Sequence, residues 1–266
     1  MSELHIAISN DDGIESPGLR AAVEAVADLG KITIVASTDQ QTATGRGLTG
    51  NKQSIFAHVV YRTGDLVLDG YHCPCSPAQV VRHAMHTVFL DAKPDLLISG
   101  INYDENIGNM ISCSGTVGAA LEASSHGVAA IAVSKETDIA SHHSFTEQNW
   151  EATQYFLNKF TGLVLEKKLL PDVDVLKIDV PQNADRQTGW KITRLSRASY
   201  YTKKHDNPSV ASRISDFKTQ INLDNTDVET DSDIHALAVE KLVSVTPLSL
   251  DFTSRVDLQE LQDCLK

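Results

Sequence analysis

Two neighbouring carboxylates, Asp11 and Asp12, stand between Asn10 and Gly13, directly after the apolar run Ile6-Ala7-Ile8. Carboxylate oxygen is the preferred donor for hard divalent cations such as magnesium and manganese. The same four residues also suit an ordinary turn closed by an Asx hydrogen bond. The residues alone leave both readings open. A second polar cluster, with Asn102, Asn106, Gly108 and Asn109, follows the apolar stretch Leu96-Leu97-Ile98. Asparagine oxygens can complete a carboxylate-based cation site, and their amides can donate to an oxyanion. A third cluster, Ser114-Gly115-Thr116, opens a run of small residues. If that run is a helix, its first amides and hydroxyls form a phosphate-binding end, although a plain serine cap explains the same residues. Ser37 to Gly47 adds hydroxyls, backbone amides and Arg46. The glycine fingerprint of dinucleotide-binding turns is absent after the first apolar run.

All these clusters follow strand-like runs, and the elements between them explain why they converge. Leu4–Ile8 reads as a buried strand bounded by turn residues. Ser16 is a good N-cap, Pro17 occupies the favoured first helical position, and Leu19, Ala22, Val23, Val26 and Leu29 recur at helical spacing up to Gly30. Lys31–Ala36 is a second strand, and residues 54–72 form a hairpin around Gly64-Asp65. A helix starts at Ser76-Pro77, with Val80, Val81, Ala84, Met85, Val88 and Phe89 on its apolar face. Pro94–Gly100 and Gly127–Val133 are the third and fourth parallel strands. Ser144 is expected to cap a helix over about 145–160, and Asp174–Val180 is a further strand closed by Pro181. Strands alternating with helices predict an α/β fold, a mostly parallel sheet flanked by helices with right-handed crossovers. In such sheets ligands bind outside the carboxyl ends of the strands.

The 266 residues suit a single α/β domain, with a core to about 181 and an extension over 182–266. Residues 202–233 are polar, with an acidic run from Asp224 to Asp233, whereas Ile234–Val245 is apolar again. A net charge of -12 argues against nucleic-acid binding as a main role. No apolar run reaches transmembrane length and Glu3 and His5 interrupt any leader, so a cytoplasmic protein without membrane contact is expected. Cys73, Cys75, Cys113 and Cys264 lack zinc-knuckle spacing and read as free thiols. His83 and His86 read as surface or boundary histidines.

Taken together, Ser9-Asn10-Asp11-Asp12-Gly13-Ile14, Ser16-Pro17-Gly18, Ser99-Gly100-Ile101-Asn102 and Ser114-Gly115-Thr116-Val117-Gly118-Ala119-Ala120 resemble the SurE family of survival-protein nucleotidases. Ser76-Pro77-Ala78 and Val245-Thr246-Pro247-Leu248 also fit. The motifs cover residues 5–135 well and 182–230 poorly. The resemblance implies a Rossmann-like fold whose C-terminal extension is exchanged between subunits of a homodimer or homotetramer. It implies a metal-dependent phosphatase acting on nucleoside 5′- or 3′-monophosphates, with one divalent ion, magnesium or manganese, per subunit. Asp11, Asp12 and Asn102 match the family's ligand positions and are the expected catalytic residues. Thr42 stands where the family has a serine ligand, with Thr44 as the alternative. The family loop usually reads Pro-Asp-Arg-Asn-Arg-Ser-Gly-Ala, so this chain lacks its arginines. Asp104 replaces a usual glycine and adds a negative charge.

These assignments give a mechanism in outline. A divalent ion on Asp11, Asp12, Asn102 and Thr42 polarises a phosphoryl oxygen and activates the attacking water. Asn10, Ser114, Gly115 and Thr116 are expected to hold the phosphate. Two rivals predict different chemistry. An aspartyl-phosphate phosphatase would use a first-strand Asp as nucleophile, but the acids here are adjacent, not separated by one residue. A nucleotide-binding protein without turnover would keep the fold alone.

Overall fold

The computed structural model describes residues 3–223 and 228–266. The chain runs through β1 (His5–Ser9), α1 (Pro17–Val26), β2 (Lys31–Ser37), β3 (Ala57–Thr63), β4 (Leu66–Cys73), α2 (Pro77–Met85), β5 (Leu96–Tyr103), α3 (Gly115–Ser125), β6 (Ala129–Lys135), α4 (Glu151–Glu166) and β7 (Val175–Val180). Beyond Pro181 come β8 (Trp190–Ile192), β9 (Tyr201–Lys204), β10 (Lys218–Ile221), β11 (Val243–Leu248) and α5 (Leu258–Cys264). Local signals set several of these boundaries. Ser16 Oγ accepts the Gly18 amide and Pro17 opens α1 as the sequence predicts. Gly64 turns the β3–β4 hairpin with a positive φ of 51°. The helix expected over 145–160 instead starts at Glu151. Asn149 Oδ1 takes the Glu151 amide and sets the start there, while Ser144 ends a short 3-10 turn.

Nine strands make one sheet in the order β3-β4-β2-β1-β5-β6-β7-β11-β8. Neighbours from β4 to β7 are parallel. The chain winds outward from β1 in one direction through β2, and from β5 in the other. The crevice at the carboxyl ends of β1 and β5 is therefore the topological switch point. Asp11 and Asp12 follow β1, and Asn102 is near the end of β5. Leu19, Val23, Phe156 and Phe160 of α1 and α4 pack on Ile6, Ile8 and Ile98 on one face. Val80, Val81, Val117 and Ala120 of α2 and α3 pack on Ala7, Val35 and Leu97 on the other. Burial on both faces explains why these strands read as continuous apolar runs.

The C-terminal part returns to this sheet. β11 pairs antiparallel with β7 and parallel with β8. Val243, Val245 and Leu248 join the main cores. The sequence boundary near 181 thus falls between two strands, β7 and β11, that pair with each other. Tyr200, Ile234, Leu237 and Ala238 make a small cluster against Ile107. The polar stretch contributes the β9–β10 ribbon, which pairs within itself. The start of the acidic run, residues 224–227, lies outside the described residues. From Asp251 onward every residue is exposed, α5 included. Among the described residues no helix is long and apolar enough to cross a membrane.

Candidate active site

The turn leaving β1 is built by Asn10. Its Oδ1 accepts the Asp12 amide at 2.6 Å and its Nδ2 donates to the Ile101 carbonyl at 3.2 Å. An Asx turn is therefore present, but it consumes Asn10 and leaves both aspartate side chains to other partners. Thr116 Oγ1 donates to Asp11 Oδ1 at 2.5 Å. Asp12 accepts from Gln40 Nε2 at 3.0 Å and from the Tyr103 amide at 3.2 Å. Burial pushes the Asp11 carboxyl up to about 6, against the pull of the Thr116 hydroxyl. Burial, and then the Asp11 charge, pushes Asp12 up to about 7. Two adjacent buried acids without a cationic partner behave this way because the charged form is poorly solvated.

β5 supplies the next group. Its pairing with β6 slips between Ser99 and Asn102, a bulge that re-aims the end of the strand. Gly100 makes this possible, since a Cβ there would lie 2.2 Å from the Val133 carbonyl. Asn102 Nδ2 then donates to the Asp104 carbonyl at 2.7 Å, which leaves Asn102 Oδ1 as the atom available to a cation. α3 opens opposite. Ser114 Oγ accepts the Val117 amide at 3.1 Å. Gly115 packs so closely on the first acid that a Cβ would lie 2.7 Å from Asp11 Oδ2.

Asp11, Asp12, Thr42, Asn102, Ser114 and Gly115 line one cavity of about 130 Å³. Two larger hollows, about 400 and 500 Å³, lie along the C-terminal tail around Phe252 and contain none of these residues. Two residues expected to contact phosphate, Asn10 and Thr116, are fully buried and are not among those lining this cavity; Asn10 Oδ1 accepts the Asp12 amide and Thr116 Oγ1 donates to Asp11. Thr42 lies exposed on the cavity wall, whereas Thr44 Oγ1 donates to the Gln41 carbonyl at 3.0 Å. Arg46, the loop's cation, is held by buried Glu122 at 2.9 Å.

Of the remaining wall, Asp104 and Asn106 were marked in the sequence, but their partners were not. Gln40 Nε2 reaches both Asp12 and, at 2.8 Å, the His142 carbonyl. His142 Nδ1 lies 3.3 Å from Asp104 Oδ2. The Tyr201 hydroxyl, from the C-terminal part, donates to Asp104 Oδ1 at 2.9 Å and contacts Glu105 Oε1. Burial first, then the Glu105 charge, raises the Asp104 carboxyl well above the usual range, and burial pushes Glu105 to about 7. Behind this wall, Asp179 accepts the Asn106 amide at 2.7 Å and Asp233 the Gly108 amide at 3.0 Å. Fully buried Lys177 bridges the two acids. No local pattern announces His142, Tyr201, Lys177, Asp179 or Asp233, because their partners are distant in sequence.

Among the described residues, no group of three or more His, Cys, Asp or Glu is arranged to hold a metal. The oxygen groups proposed to hold it are the Asp11 and Asp12 carboxyls, the Asn102 amide oxygen and the Thr42 hydroxyl; Asp104 and Glu105 line the same cavity, and among the described residues no Lys or Arg does. That is a hard-oxygen set with unbalanced negative charge, which fits a divalent cation of the magnesium type.

Residues 6–202 match the family model described as Survival protein SurE. A protein of Thermococcus gammatolerans named 5′-nucleotidase SurE is 37% identical over 270 residues, covering 98% of this chain and 96% of the relative. One of the same name from Methanocaldococcus jannaschii is 36% identical over 267 residues, covering 98% and 97%. The crystal structure of the SurE protein from Aquifex aeolicus superposes with a TM-score of 0.76 at 25% identity, covering 98% of this chain and all of that one.

Proposed function

The chain belongs to the SurE family, and on that premise we propose that it is a phosphatase hydrolysing nucleoside monophosphates, the 5′-monophosphates foremost. In this reading it uses one divalent cation, magnesium or manganese, per subunit. The observation that carries the reading is the buried Asp11–Asp12 pair at the switch point, in a cavity that no Lys or Arg among the described residues lines. Such a site repels a dianionic phosphate unless a divalent cation offsets the carboxylate charge. Asp11, Asp12, Asn102 and Thr42 are the residues that hold the cation, which when bound supplies Lewis acidity at the phosphoryl group. Ser114 and the first amides of α3 meet the phosphoryl oxygens, where the helix dipole favours negative charge. Asn10 and Thr116 keep the two acids in place. The protein then contributes positioning and charge stabilisation, which phosphoryl transfer chiefly needs.

Phosphate release from nucleoside 5′- and 3′-monophosphates, before and after verified removal of metal with EDTA, tests this. Turnover should vanish on chelation and return with Mg²⁺ or Mn²⁺. Full turnover in the metal-free protein defeats the reading. The chain is further proposed to form a homodimer or homotetramer through its C-terminal part. The support is the exposed apolar set Phe252, Leu258, Leu261 and Leu265, and light scattering of the full chain checks it, a monomer at micromolar concentration being the adverse result.

A further inference from the structure

We infer that Tyr201 is a positioning residue for the proposed reaction: its hydroxyl clamps the Asp104–Glu105 wall and, through the Asp104 backbone, fixes the orientation of Asn102. The inference rests on the function proposed above and assigns the C-terminal part a share in the site.

Asp104 is the centre of the arrangement. Its φ is 143°, a left-handed conformation that residues other than glycine rarely adopt. Such a residue persists when its surroundings over-determine it, and here four bonds do so. The Asp104 amide donates to the Lys135 carbonyl at 3.1 Å, which ties the turn to the end of β6. Its carbonyl accepts Asn102 Nδ2 at 2.7 Å. Its Oδ2 lies 3.3 Å from His142 Nδ1. Its Oδ1 accepts the Tyr201 hydroxyl at 2.9 Å. The backbone bonds fix where the peptide is; the side-chain bonds fix how it is turned. The orientation of the peptide in turn fixes Asn102, because the carbonyl that holds Asn102 Nδ2 belongs to the same residue.

Burial makes a hydrogen-bond partner necessary. Asp104 and Glu105 are adjacent acids on the wall of a cavity that already contains Asp11 and Asp12. Carboxyl oxygens withdrawn from solvent need a partner within the protein, and the hydroxyl supplies one. Tyr201 contacts both carboxyls at once and also sets its ring edge-on to His142, the centroids 5.9 Å apart. It is thus the group that draws the loop after β5, the segment around His142 and the C-terminal part to one point. Its neighbour Tyr200 is 1% exposed and packs with Ile107, Ile234 and Leu237. The Tyr201 ring packs against the same cluster and edge-on to Tyr200, the centroids 4.9 Å apart, while its hydroxyl meets the acids of the cavity wall.

The test uses the full chain and Tyr201→Phe, which removes the hydroxyl and keeps the ring. Amide hydrogen exchange reads the clamp directly: residues 103–106 should exchange at least about tenfold faster, with β1 and α3 unchanged. Calorimetric titration with Mn²⁺ alone should show cation affinity weakened about tenfold, the scale of losing a group that orients a ligand. Nucleoside monophosphate turnover should lose kcat by a similar factor with KM changed less than twofold. Asp104→Gly removes both the strained residue and the carboxylate, so adding Tyr201→Phe in that background should cause little further loss of cation affinity. Unchanged exchange in Tyr201→Phe overturns the clamp, whatever becomes of the phosphatase reading. So does faster exchange with unaltered Mn²⁺ affinity, or additive losses in the double variant. Failure of the wild-type protein to hydrolyse nucleotides would instead remove the proposed function and leave the exchange result standing.

Discussion

The turn after β1 and the C-terminal stretch from Ala198 to Ala238 shape the same cavity by opposite means. In the turn, Asn10 bonds a residue two positions away, and the strand before it delivers Asp11 and Asp12 to the sheet edge. In the C-terminal stretch, Tyr201 acts on a residue 97 positions earlier and Asp233 on one 125 positions earlier. The turn supplies the charged groups; the C-terminal stretch decides how firmly the loop carrying Asn102 is held. Chemistry and rigidity are thus divided between a local device and a long-range one, and substitutions should separate them.

The sharpest separation sets Asp11→Asn against Asp233→Asn. Asp11→Asn removes a proposed ligand charge and should lower activity about 1,000-fold, equivalent to about 4 kcal/mol. It should also raise the metal-free melting temperature, because a buried charge is lost. Asp233→Asn should do the reverse in kind. It leaves Lys177 short of one acid partner in a fully buried triad, and breaking such a group destabilises by about 3–5 kcal/mol. Melting curves and turnover of both variants decide it. If Asp11→Asn destabilises and Asp233→Asn does not, the division is wrong.

A smaller effect is expected at Thr42. Thr42→Val keeps the shape and deletes the oxygen, so Mn²⁺ affinity should fall about tenfold, while Thr42→Ser should stay within about twofold, its hydroxyl being retained. An unaltered Val variant would take this loop's ligand away from Thr42 and make Thr44 the residue to test next.

The smallest effect is on stability against pH. Folded Asp11 and Asp12 keep their protons up to about 6 and about 7, whereas the unperturbed value is 3.8. Raised carboxyl values mean that the folded state binds more protons between those limits. The stabilisation they give the metal-free protein is full below 3.8 and is lost as pH rises through about 6 and 7. A bound cation offsets that loss. The gap between melting temperatures in Mn²⁺ and in EDTA should therefore widen from about pH 5 to about pH 8, the span over which the acids give up their protons. A gap independent of pH would show that these two acids are not where the cation binds.

The residues that the sequence alone placed are those whose signals are local. Apolar runs ending at Asn10-Asp11-Asp12-Gly13 and at Ser99-Gly100, and the cap at Ser114, each mark a strand or helix end, and in a parallel sheet those ends face the same side. From that pattern the α/β fold and the gathering of Asp11, Asp12, Asn102 and Ser114 were legible. Only the tertiary structure decided what surrounds them. It turned Asn10 and Thr116 inward, as supports for the two acids. It moved the start of α4 to Glu151, whose amide donates to Asn149 Oδ1. It returned β11 to the sheet beside β7, although the polar stretch before it reads as a departure from the core. It brought Tyr201 to the wall of the site and Lys177 and Asp233 behind that wall. The physical reason is one of range: a turn or cap is made by neighbours a few positions apart and leaves a readable spacing. A hydroxyl or buried ion that meets its partner across the sheet follows the packing of the whole chain and leaves no spacing to read.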